Sequence, residues 1–263
     1  MTTATASEIQ HVTPAASAPA TDHPDADFPT GLFKIEPFTP HCEVIRVAGD
    51  HAVIGVSPGN SYFSAARVHD LARWGLALFE RVDFVYTDLY VAEMYAASGY
   101  PPEDARRKAV KNLRGVRAKV LGAVQAVDPG GTRLYAHAMS DFRGNTAYRE
   151  IHDRLQARLA TDDEFRTTCE KLVDTFLAGK AGRASAAQRE VCLAYVCAEA
   201  PLFLDTPAIL GVPSSLNCYH QLLPMAELLY SGGAGLRASR NQGHAIVTPA
   251  EGTDPEETGT DVH

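Results

Sequence analysis

The sequence is poor in the features that mark specialised classes of protein. Its 263 residues include one tryptophan, four methionines and five cysteines, and no two cysteines are spaced as Cys-x-x-Cys. No apolar run approaches the roughly 18 residues of a membrane span, and the first residues lack the basic and apolar segments of a secretory signal. The cysteines are therefore expected to be buried, reduced thiols of a cytoplasmic protein, serving neither as disulfides nor as metal ligands.

Lysine and arginine are missing from both ends of the chain. Residues 1–33 and 250–263 together hold nine acidic residues, so the tails account for the net charge of −8 and residues 34–249 carry +1. A composition of alanine, threonine, proline and acidic residues buries too little surface to order itself. We predict disordered tails at 1–31 and 250–263, and a single domain at 32–249 that is long enough for a well-buried core.

The body of the chain alternates strand-like and helix-like segments, which is typical of a doubly wound α/β fold with a parallel sheet flanked by helices. Apolar runs predict strands at 52–56, 84–87, 133–138 and 245–248. Helical periodicity and amino-terminal signals predict helices at 64–80, at 101–127, from a capping box at 161–164 to about 177, and from a second capping box at 185–188 to 200, where Pro201 ends it.

A serine lies in the tight loop after the first of these strands. Gly55-Val56-Ser57-Pro58-Gly59 matches the Gly-x-Ser-x-Gly elbow of serine hydrolases. That elbow uses the backbone N–H after the serine as an oxyanion donor, and Pro58 has none. The hydrolase interpretation remains an alternative, because residues that could complete a triad follow in the chain: Asp205, His220 and His244.

The helix predicted at 101–127 is strongly basic. Seven of the 24 lysines and arginines lie between Arg106 and Lys119, and no acidic residue falls among them. Arg107, Lys111, Arg114 and Arg117 share one face by their spacing, and an apolar face is expected from Val110, Leu113, Val116, Val120 and Val124. A one-sign face in a near-neutral body indicates contact with a polyanion, although no base-reading motif accompanies it.

Two further pairs carry chemistry. Tyr195 and Glu199 are four residues apart on a predicted helix, among small and apolar neighbours that would raise the pKa of a buried carboxyl group. Tyr219 and His220 follow a strand-like stretch and place a phenol beside an imidazole. Each pair alone is weak evidence of a site.

Together, three blocks resemble the cyclodipeptide synthases: GxSxxNSYFS from Gly55, YxxxEAPLF from Tyr195 and VPSSxxCYH from Val212. The combination of Asn60 with Tyr219 and His220 is similar to the Asn-Tyr-His subfamily. The resemblance implies a Rossmann-type fold like the catalytic domain of class I aminoacyl-tRNA synthetases. The synthetase HIGH and KMSKS signatures for ATP are missing here, as in the family.

The resemblance implies an aminoacyltransferase of secondary metabolism that needs no cofactor or metal, because its two aminoacyl-tRNA substrates are already activated esters. Ser57 would attack the first ester, the amine of a second aminoacyl-tRNA would then attack to give a dipeptidyl-enzyme, and attack by the first amine would close the diketopiperazine ring. Tyr195 and Glu199 would hold the first amine and Tyr219 would relay protons, with supporting roles for Gly55, Asn60 and His220.

The same resemblance implies the substrate contacts. The pocket for the first amino acid would be lined by Val53, Gly55, Val85, Met139, Leu202 and Asn217, which favours a hydrophobic side chain. Phosphates of tRNA would meet Arg107, Lys111, Arg114, Arg117 and Lys119. A membrane is not expected as a partner, and the oligomeric state is open, with a monomer favoured. A noncatalytic tRNA-binding relative of the synthetases is a further alternative, which would leave Ser57 without a purpose.

Overall fold

A computed structural model describes residues 29–178, 184–232 and 235–250. Six strands form one sheet in the order β1-β6-β5-β2-β3-β4. β1 runs antiparallel to β6, and the other neighbours are parallel. The strands are β1 Phe33–Pro37, β2 His51–Val56, β3 Arg81–Tyr86, β4 Leu134–Ala138, β5 Ser215–Tyr219 and β6 Gln242–Pro249.

Within the described residues, eight α-helices connect and cover these strands. They are α1 Pro40–Ala48, α2 Ala65–Leu78, α3 Val91–Ala97, α4 Pro102–Val127, α5 Thr146–Thr161, α6 Asp163–Ala178, α7 Ala186–Leu210 and α8 Pro224–Ser231. The doubly wound α/β prediction is confirmed. The four predicted strands correspond to β2, β3, β4 and β6. The sequence patterns did not predict β1, a short edge strand with alternating burial.

The sheet separates two apolar cores because successive side chains of a strand point to opposite faces. Ala52, Ile54 and Val56 of β2 pack with α1, α2 and α4 on one face. Val53 of β2 and Val85 of β3 join α5, α6 and α7 on the other. The residues of β2 that share a face with Ser57 therefore point toward the second core.

Two predicted helix boundaries are wrong. Thr161 ends α5 and does not cap α6; Asp162 does, since its Oδ1 accepts the Phe165 N–H at 2.9 Å. Pro201 does not end α7, which continues to Leu210 with a break in helical geometry at Asp205. A proline removes only one helical hydrogen bond, and its neighbours are held by packing, as Pro201 is itself buried. The capping box of Ser185 is confirmed.

The apolar face of α4 differs from the prediction at one position. Val110 is 54% exposed, whereas Val116 and Val120 are buried. Small residues supply the rest of the packed face, because α2 and α3 both lie close against this helix. The buried residues of α4 are Ala105, Ala109, Val116, Val120 and Ala123.

The prediction of buried thiols is confirmed, since all five cysteines lie within the described residues, are buried and form no disulfide there. One helix among the described residues, α7, is apolar and long enough to cross a membrane by composition alone, yet 56% of its most apolar stretch is buried in the protein. The predicted tails at 1–31 and 250–263 fall almost entirely outside the described residues.

Candidate active site

Ser57 directly follows the carboxyl end of β2, and Tyr219 ends the neighbouring strand β5. The Ser57 Oγ and the Tyr219 hydroxyl are 2.8 Å apart, a hydrogen bond in which either oxygen can donate. After β2 the chain continues to β3 and β4 on one side of β2, and later returns to β5 on its other side. The carboxyl ends of β2 and β5 therefore mark the point where the strand order of the sheet reverses. Open α/β sheets bind their ligands in the crevice at such a point.

The loop after Ser57 is held by a glycine and an asparagine. Gly59 has φ of +74°, and a Cβ there would stand 2.9 Å from the Asn112 Nδ2 atom, so no other residue fits without displacement. The Asn60 side chain accepts from the Tyr62 N–H at 3.0 Å and meets the His220 Nε2 at 3.3 Å. Because burial lowers the pKa of His220, its ring is neutral and Nε2 can accept from Asn60.

Gly55 lies on β2, two residues before Ser57. A side-chain carbon there would stand 3.4 Å from the Tyr219 ring, which is van der Waals contact. His220 stacks on Tyr62 with ring centroids 4.2 Å apart. The three residues predicted to support the site therefore surround the Ser57–Tyr219 pair.

A buried acid–phenol pair faces the same crevice from α7. The Tyr195 hydroxyl donates to the Glu199 Oε1 at 2.8 Å. Burial raises the pKa of Glu199 to about 7, against the opposing effect of that hydrogen bond. Burial and the adjacent carboxylate also raise the pKa of Tyr195 well above its usual value. The phenol therefore remains protonated, while the carboxyl group changes charge near neutral pH.

These groups open into a cavity of about 330 Å³. Its wall contains all six residues predicted to line the pocket for the first amino acid, and Ser57, Tyr195, Glu199 and Tyr219 as well. Most of the lining is apolar. An enclosed site of this size and character is typical of small-molecule recognition.

Sequence reasoning missed Thr87 at the end of β3. It is buried and lines the cavity, and it lowers the pKa of Tyr195 against the larger effect of burial. Its place directly after a buried strand, at the same sheet edge as Ser57, was a signal that could have identified it. Tyr90 and Tyr95 of the following segment also line the cavity.

The hydrolase alternative requires a histidine beside Ser57, and the described contacts of Ser57 place a phenol there instead. A serine, histidine and aspartate do meet elsewhere: the His51 ring bonds the Ser215 hydroxyl at 2.8 Å and the Asp83 carboxylate at 2.9 Å. All three are buried at the opposite ends of their strands from Ser57, closed to any substrate. The three downstream candidates also bond other groups: Asp205 to Ser239, His220 to Asn60 and His244 to Tyr230.

The basic face of α4 is exposed to solvent. Four of its five predicted tRNA contacts are exposed: Arg107, Lys111, Arg114 and Arg117. Arg107 pairs with Asp104 on the same helix. Lys119 is half-buried and donates to the Phe63 carbonyl at 2.8 Å, which ties α4 to the loop that follows Ser57. The roles of these residues in binding stay predictions.

Comparisons with known proteins identify the family of this chain. The family model described as cyclodipeptide synthase matches residues 33–249. A cyclo(L-tyrosyl-L-tyrosyl) synthase of Mycobacterium tuberculosis is 62% identical over 220 residues, which are 82% of this chain and 76% of that protein. A cyclo(L-leucyl-L-phenylalanyl) synthase of Streptomyces noursei is 35% identical over 80% of this chain and 90% of that protein.

Solved structures give the same result. A Mycobacterium tuberculosis structure, described as demonstrating that cyclodipeptide synthetases are related to type I tRNA synthetases, superposes with a TM-score of 0.80. It is 62% identical to this chain, and the match covers 83% of this chain and 94% of that one.

Proposed function

This chain belongs to the cyclodipeptide synthase family, whose members join two aminoacyl groups from aminoacyl-tRNAs into a cyclic dipeptide, and we propose that it does so by passing the first group through an ester on Ser57. The observation that carries this proposal is the 2.8 Å contact between Ser57 and Tyr219 at the mouth of an apolar cavity. Covalent catalysis of this kind divides one difficult coupling into easier acyl transfers.

In the first transfer, the Ser57 Oγ attacks the ester carbonyl of an aminoacyl-tRNA. A new carbon–oxygen bond forms to Ser57, and the bond to the ribose oxygen breaks. The Ser57 proton passes to that ribose oxygen through the Tyr219 hydroxyl, which accepts one proton while it donates another. Burial raises the pKa of Tyr219, so that its hydroxyl keeps a proton to donate.

Glu199 and Tyr195 hold the amine of the bound aminoacyl group. The carboxylate is half-buried in the wall of the cavity, and an ammonium group is the partner that compensates a negative charge removed from water. Tyr195 keeps the carboxylate in place through its hydrogen bond. This pairing orients the ester carbonyl toward Ser57.

The bonds that form and break in each step decide the order in which the two amines attack. This order corrects the order that was expected from the sequence. If the second amine attacked first, Ser57 would be released with a linear dipeptidyl-tRNA. For a dipeptidyl-enzyme, the amine on the Ser57-bound residue must attack the second ester and release the second tRNA. The amine of the newly added residue then attacks the Ser57 ester, closes the six-membered ring and frees the serine.

We further propose tyrosine as the first amino acid. The Mycobacterium relative named for two tyrosyl groups is 62% identical to this chain. The cavity is largely apolar, which suits an aromatic ring, and Asn217 adds a polar group to its wall. The basic face of α4 would hold the phosphates of the tRNA, and the enzyme would act in the cytoplasm, where aminoacyl-tRNAs occur.

The test is expression of the full chain in a bacterium, with mass spectrometry of the medium for cyclic dipeptides. Cyclo(tyrosyl-tyrosyl) is the expected product, and Ser57→Ala should abolish it. Purified enzyme mixed with tRNA carrying radiolabelled tyrosine should retain label after denaturation, and the alanine variant should not.

Two results would overturn the proposal. Folded wild-type protein that makes no cyclic dipeptide would contradict the activity, and product formation by the alanine variant would contradict the serine ester. Ester hydrolysis without tRNA would favour the hydrolase instead.

A further inference from the structure

His244 on β6 has a nitrogen atom with no partner. The residue is 5% exposed, and its Nε2 makes no hydrogen bond within the described part of the chain. It pairs in register with Asn217 of β5, so both side chains lie on the same face of the sheet, and both line the cavity. A buried polar atom without a partner costs free energy and calls for an explanation.

The neighbours of His244 determine which nitrogen carries the proton. The Tyr230 hydroxyl lies 3.1 Å from the Gln242 carbonyl oxygen, which can only accept, so the phenol proton is used there. The Cys42 thiol donates to the same phenol oxygen at 3.3 Å. The His244 Nδ1, at 3.1 Å from that oxygen, must therefore carry a proton and donate it.

It follows that the Nε2 of His244 is an unprotonated acceptor. Burial lowers the pKa of His244 to about 3, so the ring is neutral at physiological pH. Phe203 stacks on the ring with centroids 5.3 Å apart, and Tyr230 meets it edge-on at 5.5 Å. These contacts fix the orientation of the ring, so the acceptor is held in place before a substrate arrives.

We propose that the His244 Nε2 accepts the hydroxyl proton of a tyrosyl side chain in the cavity and thereby selects tyrosine over phenylalanine. This rests on the proposed function. Asn217 complements it: one N–H of its amide donates to the Leu202 carbonyl, and the other is available to the phenol oxygen. Neighbouring side chains cover Nε2, so side chains of the lining must shift when the phenol enters.

A phenylalanyl group would leave the acceptor unpaired. A site built for a hydroxyl discriminates strongly against a substrate that lacks one, because its buried polar groups then stay unsatisfied. We expect a preference for tyrosyl over phenylalanyl groups of at least about tenfold from one such contact.

The test is the rate of acyl-enzyme formation with one tRNA sequence charged with either tyrosine or phenylalanine. His244→Phe keeps a ring for the stack on Phe203 and removes both nitrogens. We expect it to lower the ratio of the tyrosyl rate to the phenylalanyl rate about tenfold or more. His244→Gln, which retains an acceptor, should recover part of the preference.

A measurement on the wild-type protein tests the role of His244 even if the variants do not fold. In protein labelled with ¹⁵N-histidine, the unprotonated nitrogen of His244 should shift when L-tyrosine methyl ester binds and not when L-phenylalanine methyl ester binds. An unmoved signal with bound tyrosine ester, or an undiminished tyrosyl preference in folded His244→Phe, would overturn the role of His244. Failure of the wild type to accept either charged tRNA would instead overturn the proposed function.

Discussion

At the scale of single residues, Glu199 is the group whose charge changes within the range of working pH. Its carboxyl group is buried beside Tyr195, and burial raises its pKa to about 7. A raised pKa means that the neutral acid dominates below this value. The carboxylate needed to hold an ammonium group is therefore present mainly above it.

We predict that kcat/KM for acyl-enzyme formation rises about tenfold between about pH 6 and pH 8, with a midpoint near the pKa of about 7. Glu199→Gln should remove this rise and lower the plateau. Initial rates with labelled aminoacyl-tRNA across pH provide the measurement. An unchanged rising limb in the glutamine variant would assign the titration to another group.

Gly59 shows how one backbone conformation holds the catalytic loop. Its φ is +74°, and a methyl group would come within 2.9 Å of the Asn112 amide and 3.3 Å of the Tyr95 hydroxyl. Gly99 has φ of +93° with no atom within 4 Å of the corresponding position. The two glycines differ in crowding and share the positive φ.

We predict that Gly59→Ala lowers the free energy of unfolding by more than Gly99→Ala, which should cost about 1 kcal/mol through φ alone. Gly59→Ala should also slow acyl transfer, since the clash displaces the loop beside Ser57. Denaturant unfolding and acyl-enzyme rates measure both effects. Equal losses for the two variants would show that contact with Asn112 is unimportant.

At the scale of elements, α7 carries the acid–phenol pair and then bends around the cavity. The helix changes direction at Asp205, whose φ of −159° is not helical. The bend is stabilised by side chains, since the Thr206 N–H donates to the Gln242 Oε1 at 2.9 Å. This contact joins α7 to β6, the strand that carries His244. The parts of α7 and β6 that line the cavity are thus positioned together.

The basic face of α4 makes a prediction that concerns the whole helix. Each cation that contacts a phosphate should contribute about one unit to the slope of log KM against log salt concentration. Lys111→Gln and Arg114→Gln should each raise KM for aminoacyl-tRNA and reduce that slope. Arg106→Gln on the same helix is the matched control, because its guanidinium pairs with Glu103 at 2.8 Å. If all three variants reduced the slope by a similar amount, tRNA would be attracted by the total charge of the helix and not by contacts with particular residues.

At the scale of the whole molecule, one buried carboxylate joins three neighbouring strands of the sheet. Asp83 of β3 is bonded by His51 of β2 at 2.9 Å, His137 of β4 at 2.7 Å and Arg81 at 2.7 Å. Burial alone would raise the pKa of Asp83, but the three hydrogen bonds outweigh it and hold the pKa well below its usual value. The network therefore holds β2, β3 and β4 together through side chains as well as through their backbone hydrogen bonds.

A carboxyl group whose pKa is lowered on folding stabilises the fold at pH values above its unfolded pKa of about 3.9. This stabilisation is lost as the pH falls from that value toward the pKa of the folded state. We predict that Asp83→Asn costs about 3 kcal/mol near neutral pH, because partners built for a charge remain buried, and that the cost shrinks toward pH 3. The exposed Asp104→Asn should cost under about 1 kcal/mol. Urea unfolding at several pH values distinguishes them, and a cost for Asp83→Asn that does not depend on pH would contradict the assignment.

The sequence alone determined the fold class, most of the strands and the family, because these depend on local periodicity and on residue order within short blocks. It also predicted a site from Ser57, Tyr195, Glu199 and Tyr219, and all four line one cavity in the structure. It did not predict β1, the continuation of α7 through Pro201 or the burial of small residues on α4. Each of those depends on packing against distant segments, which can outweigh local preference.

Only the tertiary structure decided which groups meet. Ser57 and Tyr219 are 162 residues apart in the chain and 2.8 Å apart in space. The unpaired nitrogen of His244 became visible only when Tyr230, Cys42 and Gln242 were found around it. Local sequence specifies which chemistry each residue can offer, whereas the parallel sheet, by bringing the ends of non-consecutive strands together, decides which of them share a site.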